Sequence, residues 1–135
     1  MREIVFRGKD LETGEWVYGS LFQSLEQYPA IAKPKPTADG KLFYCLTVVD
    51  ADTVGQHTGL EDRNGKEIYE GDIALMDYSA FNTGKDGQTY AVVRWIDYRA
   101  AFMWDAGLNY YADMRNDVEI CGNIHDNPEL LEDGK

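Results

Sequence analysis

Runs of alternating bulky residues leave this chain little room for helix, because a corner cuts them about every ten positions. Trp16-Val17-Tyr18-Gly19-Ser20-Leu21-Phe22 carries large side chains at strand period. Tyr90-Ala91-Val92-Val93-Arg94-Trp95-Ile96 is a second such run. Between the runs stand Asp10-Leu11-Glu12-Thr13-Gly14, Ala38-Asp39-Gly40-Lys41 and Asp62-Arg63-Asn64-Gly65. Glycine and Asn-Gly accept the positive φ that tight turns require, so each of these segments reads as a reversal of the chain. Such a sequence folds into sheets.

Residues 4–22 read as a hairpin around the turn at 10–14. Residues 23–41 read as a connector, in which Pro29, Pro34 and Pro36 interrupt any ladder and Lys33, Lys35 and Lys41 form a solvated basic loop. Leu42 to Val49 is a third strand, and Asp50 can cap a short turn after it. The stretch 53–72 is dense in turns. Strands follow at 73–76, 90–96, 101–104 and 118–124, while 105–117 fits either a helical face or a ragged strand. Asp126-Asn127-Pro128-Glu129-Leu130-Leu131 reads as a cap, a proline in the first turn and a short C-terminal helix.

The expectation is a mainly β (β-rich α+β) protein. An N-terminal β subdomain with a proline-containing connector (1–52) precedes a small SH3-like β-barrel (53–131) and a tail (132–135). Of the aromatics, Trp95 and Phe102 are expected in the core. Trp104, Tyr110 and Tyr111 are the candidate interaction surface, because Tyr and Trp bring large contact area at low entropic cost.

Charge excludes some functions. The 135 residues hold 13 Lys and Arg against 24 Asp and Glu, a net of −11. Residues 68–135 alone hold 5 basic and 13 acidic side chains, a net of −8. That half repels a phosphate backbone, so direct nucleic acid binding is disfavoured. No apolar run approaches the ~18 residues of a membrane span, and the N-terminus does not read as a secretory signal. Cys45 and Cys121 lie in apolar stretches and read as buried free thiols of a reducing cytoplasm.

Catalytic chemistry finds little support. His57 and His125 have no partner at a zinc-ligand spacing and read as turn or surface residues. Glu70, Asp72 and Asp77 could gather as a magnesium-binding cluster for a hydrolase, although turn capping explains the first two as well. Ser20, Ser24 and Ser79 lack a nucleophile-elbow context. Gly84-Lys85-Asp86-Gly87 has the wrong spacing for a phosphate loop and reads as a mobile hairpin tip. No catalytic residue, metal or cofactor is assigned.

Three segments carry a resemblance: Arg2-Glu3-Ile4 through Phe6-Arg7 with Thr13-Gly14-Glu15-Trp16-Val17-Tyr18-Gly19, then Val54-Gly55-Gln56 with Thr58-Gly59-Leu60, then Val118 to Ile124 with Asn127-Pro128-Glu129-Leu130-Leu131. Together they resemble the YopX family of phages and prophages. The chain departs from the family at His57, where Tyr is common, and at Glu119-Ile120-Cys121-Gly122-Asn123, where Val-Ile-Gly-Asn is usual. The resemblance implies a phage- or prophage-encoded accessory protein of a bacterial cytoplasm that forms homo-oligomers, and it carries over no catalytic residue. Two functions are therefore expected in order: a non-enzymatic, self-associating module that binds a host or phage protein, and an acidic DNA mimic that interferes with a host enzyme.

Overall fold

The computed structural model describes residues 4–23, 28–115 and 117–132. Arg2, Glu3, Ser24 and the tail from 133 onward lie outside the described residues. The chain divides into two compact units between His57 and Thr58.

The first unit is an antiparallel sheet of strands β1 (Phe6–Lys9), β2 (Trp16–Phe22), β3 (Ala30–Pro36), β4 (Leu42–Val48) and the start of β5 (Gly55–Glu61), in the order β4-β3-β2-β1-β5. The expected hairpin is present: Lys9 pairs with Trp16 and Phe6 with Gly19. Its turn is closed by Asp10, whose Oδ1 accepts the Glu12 N–H at 2.8 Å. The Arg7 guanidinium lies 4.5 Å from the Trp16 ring centroid and the Lys9 ammonium 5.4 Å from it, so cation–π attraction backs the ladder. Ile31 and Val49 are fully buried. A Cβ on Gly8 would meet Val49 Cγ2 at 2.9 Å, so glycine is what lets β1 lie against that side chain. After β4, Asp50 accepts the Asp52 N–H and caps a 3-10 turn at Ala51–Thr53, as its sequence suggests.

The proline-containing connector is a strand, which corrects the reading of 23–41 as a loop. β3 pairs with β4 along its whole length, from Ala30↔Val48 to Pro36↔Leu42. The reason is parity. At the two ends of the ladder, Thr37 N–H donates to Lys41 O at 2.8 Å and Val49 N–H donates to Pro29 O at 2.9 Å. Bonded and non-bonded pairs alternate in an antiparallel ladder, so odd-numbered residues of β3 bond to β4. Pro34 and Pro36 are even. Their missing N–H groups face the other side, where the pairing of β3 with β2 has already ended at Ser20↔Ala32.

The second unit carries β6 (Glu67–Tyr69) beside the later part of β5, and a five-stranded antiparallel sheet. That sheet contains β7 (Asp72–Asp77), β8 (Gln88–Ile96), β9 (Ala101–Asp105), β10 (Tyr111–Asp113) and β11 (Ile120–Asn123) in the order β10-β9-β8-β7-β11. Among the described residues its edges β10 and β11 form no ladder with one another, so the expected closed barrel is not formed. The β-rich class holds. The C-terminal segment is a single 3-10 turn, Pro128–Leu131, rather than a helix, because Glu132 is already extended. The ambiguous stretch resolves to the short strand β10.

The core of this unit gathers Ile68, Ala74, Met76, Phe81, Ala91, Val93, Trp104 and Val118, with Phe102 and Tyr110 packed against it. Trp104 is 0% exposed, whereas Trp95 is 48% exposed. The expected placements of the two tryptophans are thereby exchanged. Val93↔Trp104 and Trp95↔Phe102 are successive pairs on the same sheet face, but Trp95 stands near the strand end, beyond the cover of the core. It keeps a T-shaped contact with Phe102, centroids 5.2 Å apart.

Candidate interaction surface

Asp62 organises the corner that joins three segments of the second unit. Its Oδ1 accepts the N–H groups of Asn64 (2.8 Å) and Lys66 (2.9 Å), closing the Asn64-Gly65 turn. Its Oδ2 accepts the Ile120 N–H at 3.0 Å. Burial pushes this carboxyl up, but the backbone donors of Ile120, Lys66 and Asn64 outweigh it and hold Asp62 below the usual carboxylate range. Close by in sequence, Asp72 is buried and its Oδ2 accepts the Tyr69 N–H at 2.8 Å. Gly71 N–H donates to Val93 O and Gly71 O accepts from Ile124, which ties the Glu70-Gly71-Asp72 turn to the Gly122-Asn123-Ile124 turn. Asn127 completes the corner: its Oδ1 accepts the Asn123 N–H at 3.1 Å.

These contacts spend the carboxylates and amides of the motif segments on main-chain donors. Asp72 and Asp77 differ by an odd number on β7 and so point to opposite faces, which separates the proposed magnesium ligands. Among the described residues no three His, Cys, Asp or Glu side chains gather as a metal-ligating group. His57 is buried in β5 with its N–H donating to Val5 O, which corrects its assignment to a turn or the surface. At the 84–87 tip the Lys85 ammonium lies 5.5 Å from the Tyr78 ring and 5.4 Å from the Tyr110 ring.

Of the candidate surface residues, Trp104 is core. Tyr110 is partly buried against it. Tyr111 is partly exposed and meets Tyr98, which is 75% exposed, edge-on at 6.4 Å between centroids. On the sheet face opposite the core, Leu75, Tyr90 and Val92 floor an open groove of about 830 Å³, walled by Glu129, Leu130 and Leu131.

Among the described residues, a run of exposed apolar side chains lies on one strand of the first unit. Leu42, Phe43, Tyr44, Leu46 and Val48 of β4 are all exposed, Tyr44 by 59%. A nearly continuous apolar run normally signals a strand buried on both faces; among the described residues β4 is instead an edge strand, exposed on both. Both thiols are exposed as well, which corrects their expected burial. Cys45 lies in the middle of β4, and Cys121 stands at the irregularity where β11 shifts register against β7. The Cys121 Sγ points to Ile73 O at 3.4 Å, and its partial burial, with the Glu119 charge, pushes the thiol up.

Among the described residues no helix is long and apolar enough to cross a membrane. No curated protein matches the chain. A crystal structure, that of protein EF1440 from Enterococcus faecalis, is similar with a TM-score of 0.56 and 26% identity, over 98% of this chain and 100% of that one. The family model for YopX protein matches residues 5–132, the segment that holds the Asp62 corner, the β3–β4 ribbon and the Gly122–Asn127 turn. The chain belongs to the YopX family.

Proposed function

We propose that this protein is a phage- or prophage-encoded, non-enzymatic accessory module of the bacterial cytoplasm that self-associates and binds a protein partner. The observation that carries this reading is the bare apolar edge of β4. Monomers rarely leave a contiguous apolar strand edge open, because it is a template for pairing with another chain. Tyr111 and Tyr98 add a smaller aromatic patch on the second unit, the remnant of the surface first assigned to Trp104, Tyr110 and Tyr111. Sedimentation at micromolar concentration tests self-association, and a strict monomer overturns it. Affinity capture from the host followed by mass spectrometry identifies the partner.

A second reading, an acidic DNA mimic, draws support from the −8 charge of residues 68–135. Salt separates the two. Mimicry weakens steeply between 50 and ~500 mM salt as screening grows, whereas an apolar contact does not.

A further inference from the structure

We propose that two copies of this chain join through β4, antiparallel and edge to edge, with Tyr44 on the two-fold axis. The inference rests on the self-association reading and names its interface.

The register follows from the hydrogen-bond parity of the ribbon. Odd residues of β4 bond inward to β3, so Leu42, Tyr44, Leu46 and Val48 turn their N–H and C=O groups outward. Val48 O is already taken by the Leu11 N–H at 3.1 Å, where the β1–β2 turn closes over the end of the strand. At the other end the Thr37–Lys41 turn begins. The open stretch is therefore Leu42 to Leu46, centred on Tyr44. An antiparallel second copy uses every outward group of this stretch in one arrangement: Tyr44 opposite the second copy's Tyr44, and Leu42 opposite the second copy's Leu46. One face of the resulting sheet is then an apolar strip through Pro34, Tyr44, the second copy's Tyr44 and its Pro34. On the other face Cys45 sits beside the second copy's Phe43, with Lys33 and Lys35 of β3 at the rim.

Three observations favour a second copy over an unrelated peptide. The first is charge. The chain is −11 overall, yet residues 30–48 hold three lysines and one aspartate, so the ribbon is where two mutually repelling acidic molecules can approach. The rim lysines of the two copies stand about three strand spacings apart, roughly 14 Å, beyond the ~8 Å screening length. The second is area. Leu42, Phe43, Tyr44 and Leu46 are about half exposed, and a symmetric pair draws on this apolar surface from both copies at once. The third is guarding. Where β3 runs past its last pair with β2, Ser20↔Ala32, Pro34, Pro36 and their lysine neighbours block its outer edge, the usual defence of an edge strand. β4 carries no such guard, and its open stretch is similar in type read from either end.

The full chain is tested in two ways. In a Cys45→Ser, Cys121→Ser background, Tyr44→Cys places two thiols at a bonded pair, with Cα atoms about 5.5 Å apart, inside disulfide range. A mild thiol oxidant is expected to yield a covalent dimer rapidly at about 50 µM. The Cys121→Ser protein, with only Cys45, is expected to cross-link at least tenfold more slowly, because the two Cys45 Cα atoms lie about 8 Å apart in this register. In sedimentation, Leu46→Lys is expected to weaken self-association at least tenfold, with far-ultraviolet dichroism unchanged because the position is exposed. Faster cross-linking through Cys45 than through position 44 overturns the register. Self-association that survives Leu46→Lys, without cross-linking at position 44, overturns the β4 interface and leaves the broader reading standing. A wild-type monomer at 100 µM overturns both.

Discussion

The carboxylate of Asp62 reaches across 58 positions of sequence to accept the backbone N–H of Ile120 at 3.0 Å. The same side chain closes the Asn64-Gly65 turn, so one residue holds the β5–β6 connection and fixes where β11 begins. A charged acceptor serving three backbone donors in a buried corner is expensive to remove, since each donor loses its partner away from water.

Asp62→Ala is expected to cost on the order of 3 kcal/mol and Asp62→Asn about half of that, by urea unfolding. The pH dependence follows from the direction of the shift. The folded carboxyl titrates below its ordinary value of 3.8, so its stabilisation is complete above that value and is lost as pH falls through the folded pKa. Thermal melts from pH 7 downward are expected to show this acid-side loss in the wild type and not in Asp62→Ala.

Trp104 is fully buried, and among the described residues its Nε1 has no acceptor. Trp104→Ala is expected to cost about 3–5 kcal/mol through the cavity it leaves. Trp104→Phe is expected to cost much less than Trp104→Ala, because it removes an unsatisfied buried donor while keeping most of the ring volume. Urea midpoints of the two variants check the difference.

Gly122 admits Asn127 at close range. A Cβ at position 122 would lie 2.5 Å from Asn127 Oδ1, the atom that accepts the Asn123 N–H. Gly122→Ala is expected to cost about 1–3 kcal/mol as the overpacked turn shifts. In an Asn127→Gly background the same change is expected to cost clearly less, since the clashing atoms are gone; a double-mutant cycle on unfolding free energies reads the coupling.

Alkylation separates the two thiols. Burial of its Sγ raises the Cys121 pKa, so less thiolate is present at any given pH. Cys121 is expected to react with iodoacetamide more slowly than Cys45 at pH 7.5, and its rate is expected to keep climbing at higher pH than that of an ordinary thiol. Peptide mass spectrometry after timed quenching measures both.

Much of the sheet architecture was legible because it is written locally. Asp10 to Gly14, Asp62 to Gly65 and the run at 90–96 state their turns and strand by residue type alone. β3 was not legible, since the cue against it, its prolines, depends on which partner each N–H faces, and that is set by the Thr37–Lys41 turn and by the point where β3 parts from β2. The depth of the tryptophans was not legible, because exposure at a strand end depends on what lies above it. The exposed β4 surface was not legible for a related reason: Leu42 to Val48 has the composition of an interior strand, and its position at the sheet edge is a tertiary fact.

The even spacing of Pro34 and Pro36 also constrains how the ribbon can assemble. A slip of one position turns one strand over: turning β3 swings both imino nitrogens toward β4 and removes two rungs of the ladder, and turning β4 moves Tyr44 to the opposite face. Only displacements by pairs of residues escape that penalty, and the short Thr37–Lys41 reversal has no slack to supply them. The residues that look most hostile to a strand therefore act as a ratchet that leaves the nascent arm one alignment to settle into.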